Sequence, residues 1–167
     1  MKKSIPYSTI VGILFVSILG VLMHFVYEWS SSNRFVGLFS PINESTWEHM
    51  KLLFFPMLLY GFLESLIVPS STSKKAATGV GILVGTALIP ILFYTYSGIL
   101  GYNIPALDIS IFFVSVLAAF FIRHRCILSG KCEKYALPVL ILIMLWWAVF
   151  FLFTYMPPSL GIFAPPS

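Results

Sequence analysis

Residues able to do acid, base or metal chemistry are scarce, and most lie in the first 65 positions. The six acids are Glu28, Glu44, Glu48, Glu64, Asp108 and Glu133, and the three histidines are His24, His49 and His124. Ser17, Gly20, His24 and Glu28 fall on one stripe at helical period. His24 and Glu28, four residues apart, can meet on one helix face. A second stripe of the same period runs through His49, Leu53, Pro56, Tyr60 and Glu64. It carries His, Tyr and Glu along one side of a helix, and Pro56 frees a backbone carbonyl on that side.

Imidazole and carboxylate are ligands for zinc, manganese or iron(II). Four residues are therefore candidate ligands for a divalent metal such as zinc: His24, Glu28, Glu48 and His49. With Glu44, Tyr60 and Glu64 they form a candidate binding site for a cation or a small polar substrate. The same groups suit acid/base chemistry, or a hydrogen-bonded cluster with a structural role. No His-Glu-x-x-His helix is present; Glu48 and His49 are adjacent, in the other order. A complete catalytic constellation cannot be written down.

The elements that must position these groups follow from composition. Of 167 residues, 59% are hydrophobic and only 10% charged, and mean hydropathy is +0.95. A soluble domain carries about 25% charged residues. This balance excludes a soluble enzyme, a disordered chain and a nucleic-acid-binding module, and the net charge of +4 is no nucleic-acid footprint. The expectation is an all-α, polytopic transmembrane helix bundle in contact with the lipid bilayer. Five spans are expected, near 7–29, 46–69, 77–100, 107–123 and 135–156, in a single domain covering 1–167. The fourth is short against the roughly 20 residues that a spanning helix needs.

Lys2, Lys3, Lys74, Lys75, Arg123, Arg125, Lys131 and Lys134 fall on one side of this model, and Arg34 and Lys51 on the other. The positive-inside rule then puts the N-terminus in the cytoplasm and the C-terminus outside, in a multi-pass protein of the plasma or inner membrane. The first run is too long for a signal-peptide core and lacks a cleavage pattern, so it is read as a retained helix. His24, Glu28, Glu44, Glu48, His49 and Asp108 gather in the outer half. Glu64 lies beyond mid-membrane, where a carboxylate is a functional candidate by default; a structural acid reaching Lys74 and Lys75 is the alternative.

Local patterns complete the reading. Ser45 to Glu48 fits a capping box, and Trp47 and Lys51 suit interfacial anchors. Asp108 suits the N-cap of the fourth helix. Gly81 and Gly85 form a GxxxG pattern, which lets another helix approach closely, within the chain or from a second copy. Trp146 and Trp147 read as core packing. Cys126 and Cys132 match no zinc spacing and read as reduced thiols in a cytoplasmic loop with His124, a solvated residue. The Pro-rich tail from Met156 reads as extended.

The segment His-Phe-Val-Tyr-Glu-Trp-Ser (24–30) and the segment at 36–57 carrying Asn-Glu-Ser-Thr-Trp-Glu-His-Met-Lys resemble an uncharacterised family of small bacterial integral membrane proteins. The resemblance implies a helical membrane fold and no particular activity. Three functions stay open: a binding or transport protein with an outward-facing His/carboxylate site, a membrane-embedded metal-dependent hydrolase, and a non-catalytic accessory subunit.

Overall fold

The computed structural model describes residues 7–166. Five helices are long and apolar enough to cross a membrane, and among the described residues there is no strand. They are α1 (Tyr7–Trp29), α3 (Thr46–Ile67), α4 (Thr72–Leu100), α5 (Pro105–Ser129) and α6 (Ala136–Tyr155). Between α1 and α3 lies α2 (Arg34–Gly37), a single turn capped by Asn33. Short 3-10 turns at Glu133–Tyr135 and Gly161–Phe163 flank α6.

Helix ends follow local chemistry. Ser45 caps α3 and Ser71 caps α4, each side chain accepting from the backbone N–H three residues on. Gly101 and Gly130 end α4 and α5 in the left-handed conformation, which glycine adopts without a Cβ clash. The fourth span is longer than its charge-free run: α5 begins at Pro105, a residue preorganised for a first helical turn, and continues through Arg123 and Arg125 to Ser129. Asp108 is therefore inside the first turns and does not cap. Ile104 occupies the N-cap position, without a side-chain bond. Asp108 accepts instead from the Tyr96 hydroxyl and, at 3.3 Å, from Asn103 Nδ2.

α4 is the centre of the bundle, packed on α3, α5 and α6, while α1 lies against α3 and α5. Lipid tails are as apolar as leucine, so helices in a membrane associate through close packing and polar contacts. The Gly81–Gly85 face meets α5 of the same chain: a Cβ on Gly81 would stand 2.7 Å from the Ala119 carbonyl oxygen, and one on Gly85 2.7 Å from Ala119 Cβ. α3 is the most buried span and α6 the least. Leu137, Ile141, Met144 and Leu145 of α6, and Ile10, Leu14 and Ile18 of α1, are exposed apolar residues. A surface of that kind fits hydrocarbon, not water.

Several positions differ from the sequence expectation. Trp47 is no interfacial anchor: it is 7% exposed, stacked on Trp146 with centroids 5.8 Å apart and packed on Phe150 and Phe163. Lys51 is fully buried rather than interfacial. Arg123 is also buried and so is not a solvated charge at the membrane surface. The tail turns back through its 3-10 segment, and Phe163 inserts beside Trp47 and Phe153. Cys126 and Cys132 form a disulfide across the α5 terminus, where Gly130 folds the chain back and brings their Cα atoms to 5.6 Å. His124 lies on α5, half-buried, not in a solvated loop.

Candidate functional site

Three polar centres are built from the candidate residues, and they are separate. The first joins α1, the loop before α3, and the first turn of α3. His24 comes from α1, Glu44 from the loop, and His49 from α3; one ligand atom from each lies within 4.8 Å of the others. His49 Nε2 is 3.4 Å from Glu44 Oε2, and His24 Nε2 is 3.9 Å from Glu44 Oε1. The imidazole centroids are 5.3 Å apart. Both rings are half-buried, and Glu44 is exposed.

The His49 ring is held by its own helix. Its Nδ1 lies 2.9 Å from the Ser45 carbonyl oxygen. An oxygen there can only accept, so Nδ1 donates; in the neutral imidazole that leaves the lone pair on Nε2, the nitrogen that faces Glu44 and His24. Pinning one ring nitrogen on a carbonyl while the other faces an ion is the usual arrangement of metal-bound histidine. In a tetrahedral zinc site with ligand bonds of about 2.0–2.2 Å, neighbouring donor atoms stand about 3.4 Å apart. The His49–Glu44 separation is that edge, and the His24–Glu44 separation exceeds it by half an ångström, within side-chain reach. Nδ1 of His24 is buried without a hydrogen-bond partner.

These residues are part of the lining of a cavity of about 690 Å³. Its wall is largely apolar, with Val21, Phe25, Leu52, Phe93 and Phe112, and with Asn103 and Asp108 among its polar groups; Pro165 and Pro166 of the tail also line it.

The second centre takes Glu48 away from the first. Glu48 Oε2 accepts from Lys51 Nζ at 2.6 Å and from the Ile42 N–H at 3.0 Å. Lys51 Nζ also donates to the Gly37 carbonyl at 2.9 Å and to Thr154 Oγ1 at 2.6 Å, so its three protons are satisfied. Only half of the capping box forms: Ser45 Oγ accepts from the Glu48 N–H, while Asn43 Oδ1 takes the Ser45 N–H. Glu48 and Lys51 thereby fasten α2, the loop bearing Glu44, and α6 to α3. Glu28 is exposed near the end of α1 and is not in the His24–Glu44–His49 group.

The third centre lies fifteen residues along α3 from His49, about 22 Å at 1.5 Å per residue. Glu64 accepts from Arg123 Nη2 and pairs with Lys74 Nζ at 3.1 Å. Arg123 Nε donates to Thr78 Oγ1 at 3.0 Å, and its guanidinium lies over the Tyr60 ring, 5.7 Å from the centroid. Tyr60 donates to the Ser8 carbonyl, with Glu64 Oε1 at 3.4 Å. The two ends of the sequence stripe thus serve different centres, separated by Leu53 and Met57, both fully buried.

Sequence reasoning did not find the Lys51–Glu48 pair, because an i,i+3 pair at a helix start reads as surface chemistry. It also left Arg123 unassigned as a partner. Signals were available in retrospect: an Arg inside a long apolar helix requires a counter-charge, and Glu64 was the acid expected deepest in the membrane.

The chain matches the model of a family of unknown function, DUF6512, over residues 2–166, and it belongs to that family. Curated proteins and solved structures gave no match.

Proposed function

We propose that this member of the DUF6512 family is a multi-pass membrane protein that binds a divalent transition-metal cation of the zinc type through His24, Glu44 and His49. One observation carries the reading: the Ser45 carbonyl fixes the His49 tautomer, leaving Nε2 directed at a carboxylate and a second imidazole. Two neutral imidazoles and a carboxylate leave zinc a fourth position for water or substrate. Glu28 and Glu48 are left out of the ligand set. Binding fits better than passage through the bundle, because closely packed Leu53 and Met57 separate the His24 end from the Glu64 end.

The orientation belongs to the same proposal. With Lys51 buried, Arg34 is the solvated basic residue at the His24 end, whereas Lys75, Arg125, Lys131 and Lys134 are exposed at the other. The positive-inside rule then turns the metal site outward, in a plasma or inner membrane.

The test is metal analysis and titration of the purified full chain in detergent. About one zinc per chain, reduced by His24→Ala, His49→Ala or Glu44→Gln in protein that keeps its helicity, supports the site. Sub-stoichiometric, variant-independent zinc rejects it. A second reading is favoured by the largely apolar cavity that His24, Glu44 and His49 help to line: a metal-dependent hydrolase of an amphiphilic ester, in which a bound ion would activate water. It requires zinc-dependent release of product from a lipid ester, lost in the same variants.

A further inference from the structure

We infer that the groove between α3, α4 and α6 at the Glu64 end is a binding site for an anionic phospholipid, with the phosphate at Lys75 and one acyl chain along the groove. The groove encloses about 620 Å³. Its polar lining is concentrated where α3 ends and α4 begins: Ser65, Ser70, Thr72 and Lys75. That is the level of a lipid headgroup, with Lys75 supplying the charge and the hydroxyls supplying hydrogen bonds.

Charge at this end is unbalanced. Glu64 is the carboxylate on the groove wall, and it is already engaged by Arg123 and Lys74. Lys75 is exposed and makes no ion pair among the described residues. Lys75 is thus the cation of the groove lining, and the one carboxylate there, Glu64, is already neutralised by Arg123 and Lys74; a phosphate is the complementary group. Basic pockets between membrane helices recognise anionic lipid headgroups in this way.

The rest of the lining fits a hydrocarbon chain. Leu58, Ile82 and Ile143 form part of it, while Phe62, Leu137 and Leu140 are exposed at 60%, 68% and 56%, as expected of a groove open sideways to the bilayer. Gly61 is also in the lining, where α3 passes close to Thr78 of α4. From Thr72 to Ile82 the groove runs about 15 Å along α4, which is one leaflet of a hydrocarbon core about 30 Å thick. A water-soluble phosphate would make no use of that apolar length. The site shares no residue with the His24 centre and does not depend on the metal reading.

The test is native mass spectrometry of the full chain in detergent, titrated with phosphatidylglycerol or phosphatidylcholine. Phosphatidylglycerol should be retained preferentially. Lys75→Gln should weaken its retention about fivefold, the typical share of one basic side chain at an anionic headgroup, and Lys75→Arg should restore it. Leu140→Trp, which fills the chain groove, should weaken retention of the same lipid. Leu142→Trp on the same helix, 46% exposed and off the groove, should leave it unchanged. Equal retention of the two lipids, indifference to Lys75→Gln, or full displacement by glycerol 3-phosphate would overturn the proposal.

Discussion

Arg123 of α5 donates to Glu64 of α3 from within the bundle, and the pair is 1% and 7% exposed. An intramembrane carboxylate invites a transport reading, but this one is met by a guanidinium, an ammonium and a phenol. Removing one partner of a buried pair leaves an uncompensated charge, at a cost of about 3–5 kcal/mol. Glu64→Gln and Arg123→Leu are each expected to lose stability of that order in detergent unfolding. The double variant Glu64→Leu/Arg123→Leu should recover most of it. Were Glu64→Gln to unfold like the parent, the pair would be no structural fastening.

At the other end, the structure separates two sets of acids that sequence spacing joins. Glu28→Gln should leave zinc affinity unchanged, since Glu28 stands outside the group. Glu44→Gln should weaken it by more than about tenfold, because loss of a ligand costs at least as much as loss of its outer support. Affinity should also rise with pH, since an imidazole must be neutral to ligate. Isothermal titration with zinc measures both; equal effects of the two variants would reject the ligand set.

Lys51 offers a test of how the site is positioned. Its ammonium is fully buried and bonded to Glu48, Gly37 and Thr154, and Glu48 in turn holds the Ile42 N–H two residues before Glu44. Lys51→Met should destabilise the chain by about 3–5 kcal/mol and, in the folded fraction, weaken zinc binding through a loosened Glu44 loop. Rescue of folding with Glu48→Gln added, without rescue of zinc affinity, would distinguish positioning from stability. Zinc binding equal to the parent in the folded single variant would remove Lys51 from the site.

Much of the architecture was readable because charge is scarce. Runs without charge marked the spans, and on the stripe from His49 to Glu64 the residues Leu53, Tyr60 and Glu64 are buried. What failed was the reading of Lys51 and Arg123 as charges at the membrane surface. Arg123 and Lys51 lie within helices because each has a partner, and pairing across α3, α5 and α6 is a tertiary fact that no local period encodes. Trp47 misled for a related reason: its place near a helix start suits the interface, yet the tail supplies Phe163 to cover it. His24 and His49 are candidate ligands from sequence alone, whereas Glu44 is there only a candidate for cation or substrate binding; that Glu48 turns to Lys51 and Glu44 stands between the two imidazoles required the fold.

The α4–α5 contact gives a packing prediction. A methyl on Gly81 would stand 2.7 Å from the Ala119 carbonyl oxygen, a backbone atom that cannot swing aside. Gly81→Ala should therefore cost about 1–3 kcal/mol, the usual penalty for overpacking. Gly98 has nothing within 4 Å of an added Cβ, so Gly98→Ala on the same helix should stabilise slightly or do nothing. Unfolding in detergent reads the difference, and similar values for the two would mean that α4 and α5 are not packed through this face.

The disulfide sets orientation against redox compartment. Cys126 and Cys132 are joined at the end of the bundle that carries Lys75, Arg125, Lys131 and Lys134. The positive-inside rule turns that end to the cytoplasm, where thiols are normally kept reduced. The proposed orientation therefore predicts that in growing cells this pair is largely dithiol and closes on exposure to air. Acid-quenched cells lysed in a maleimide reagent should label both cysteines, while an impermeant maleimide added to intact cells should label neither. If instead the quenched lysate labels only after chemical reduction, the pair sits on an oxidising side. The whole bundle is then inverted, and the His24–Glu44–His49 centre faces the cytoplasm.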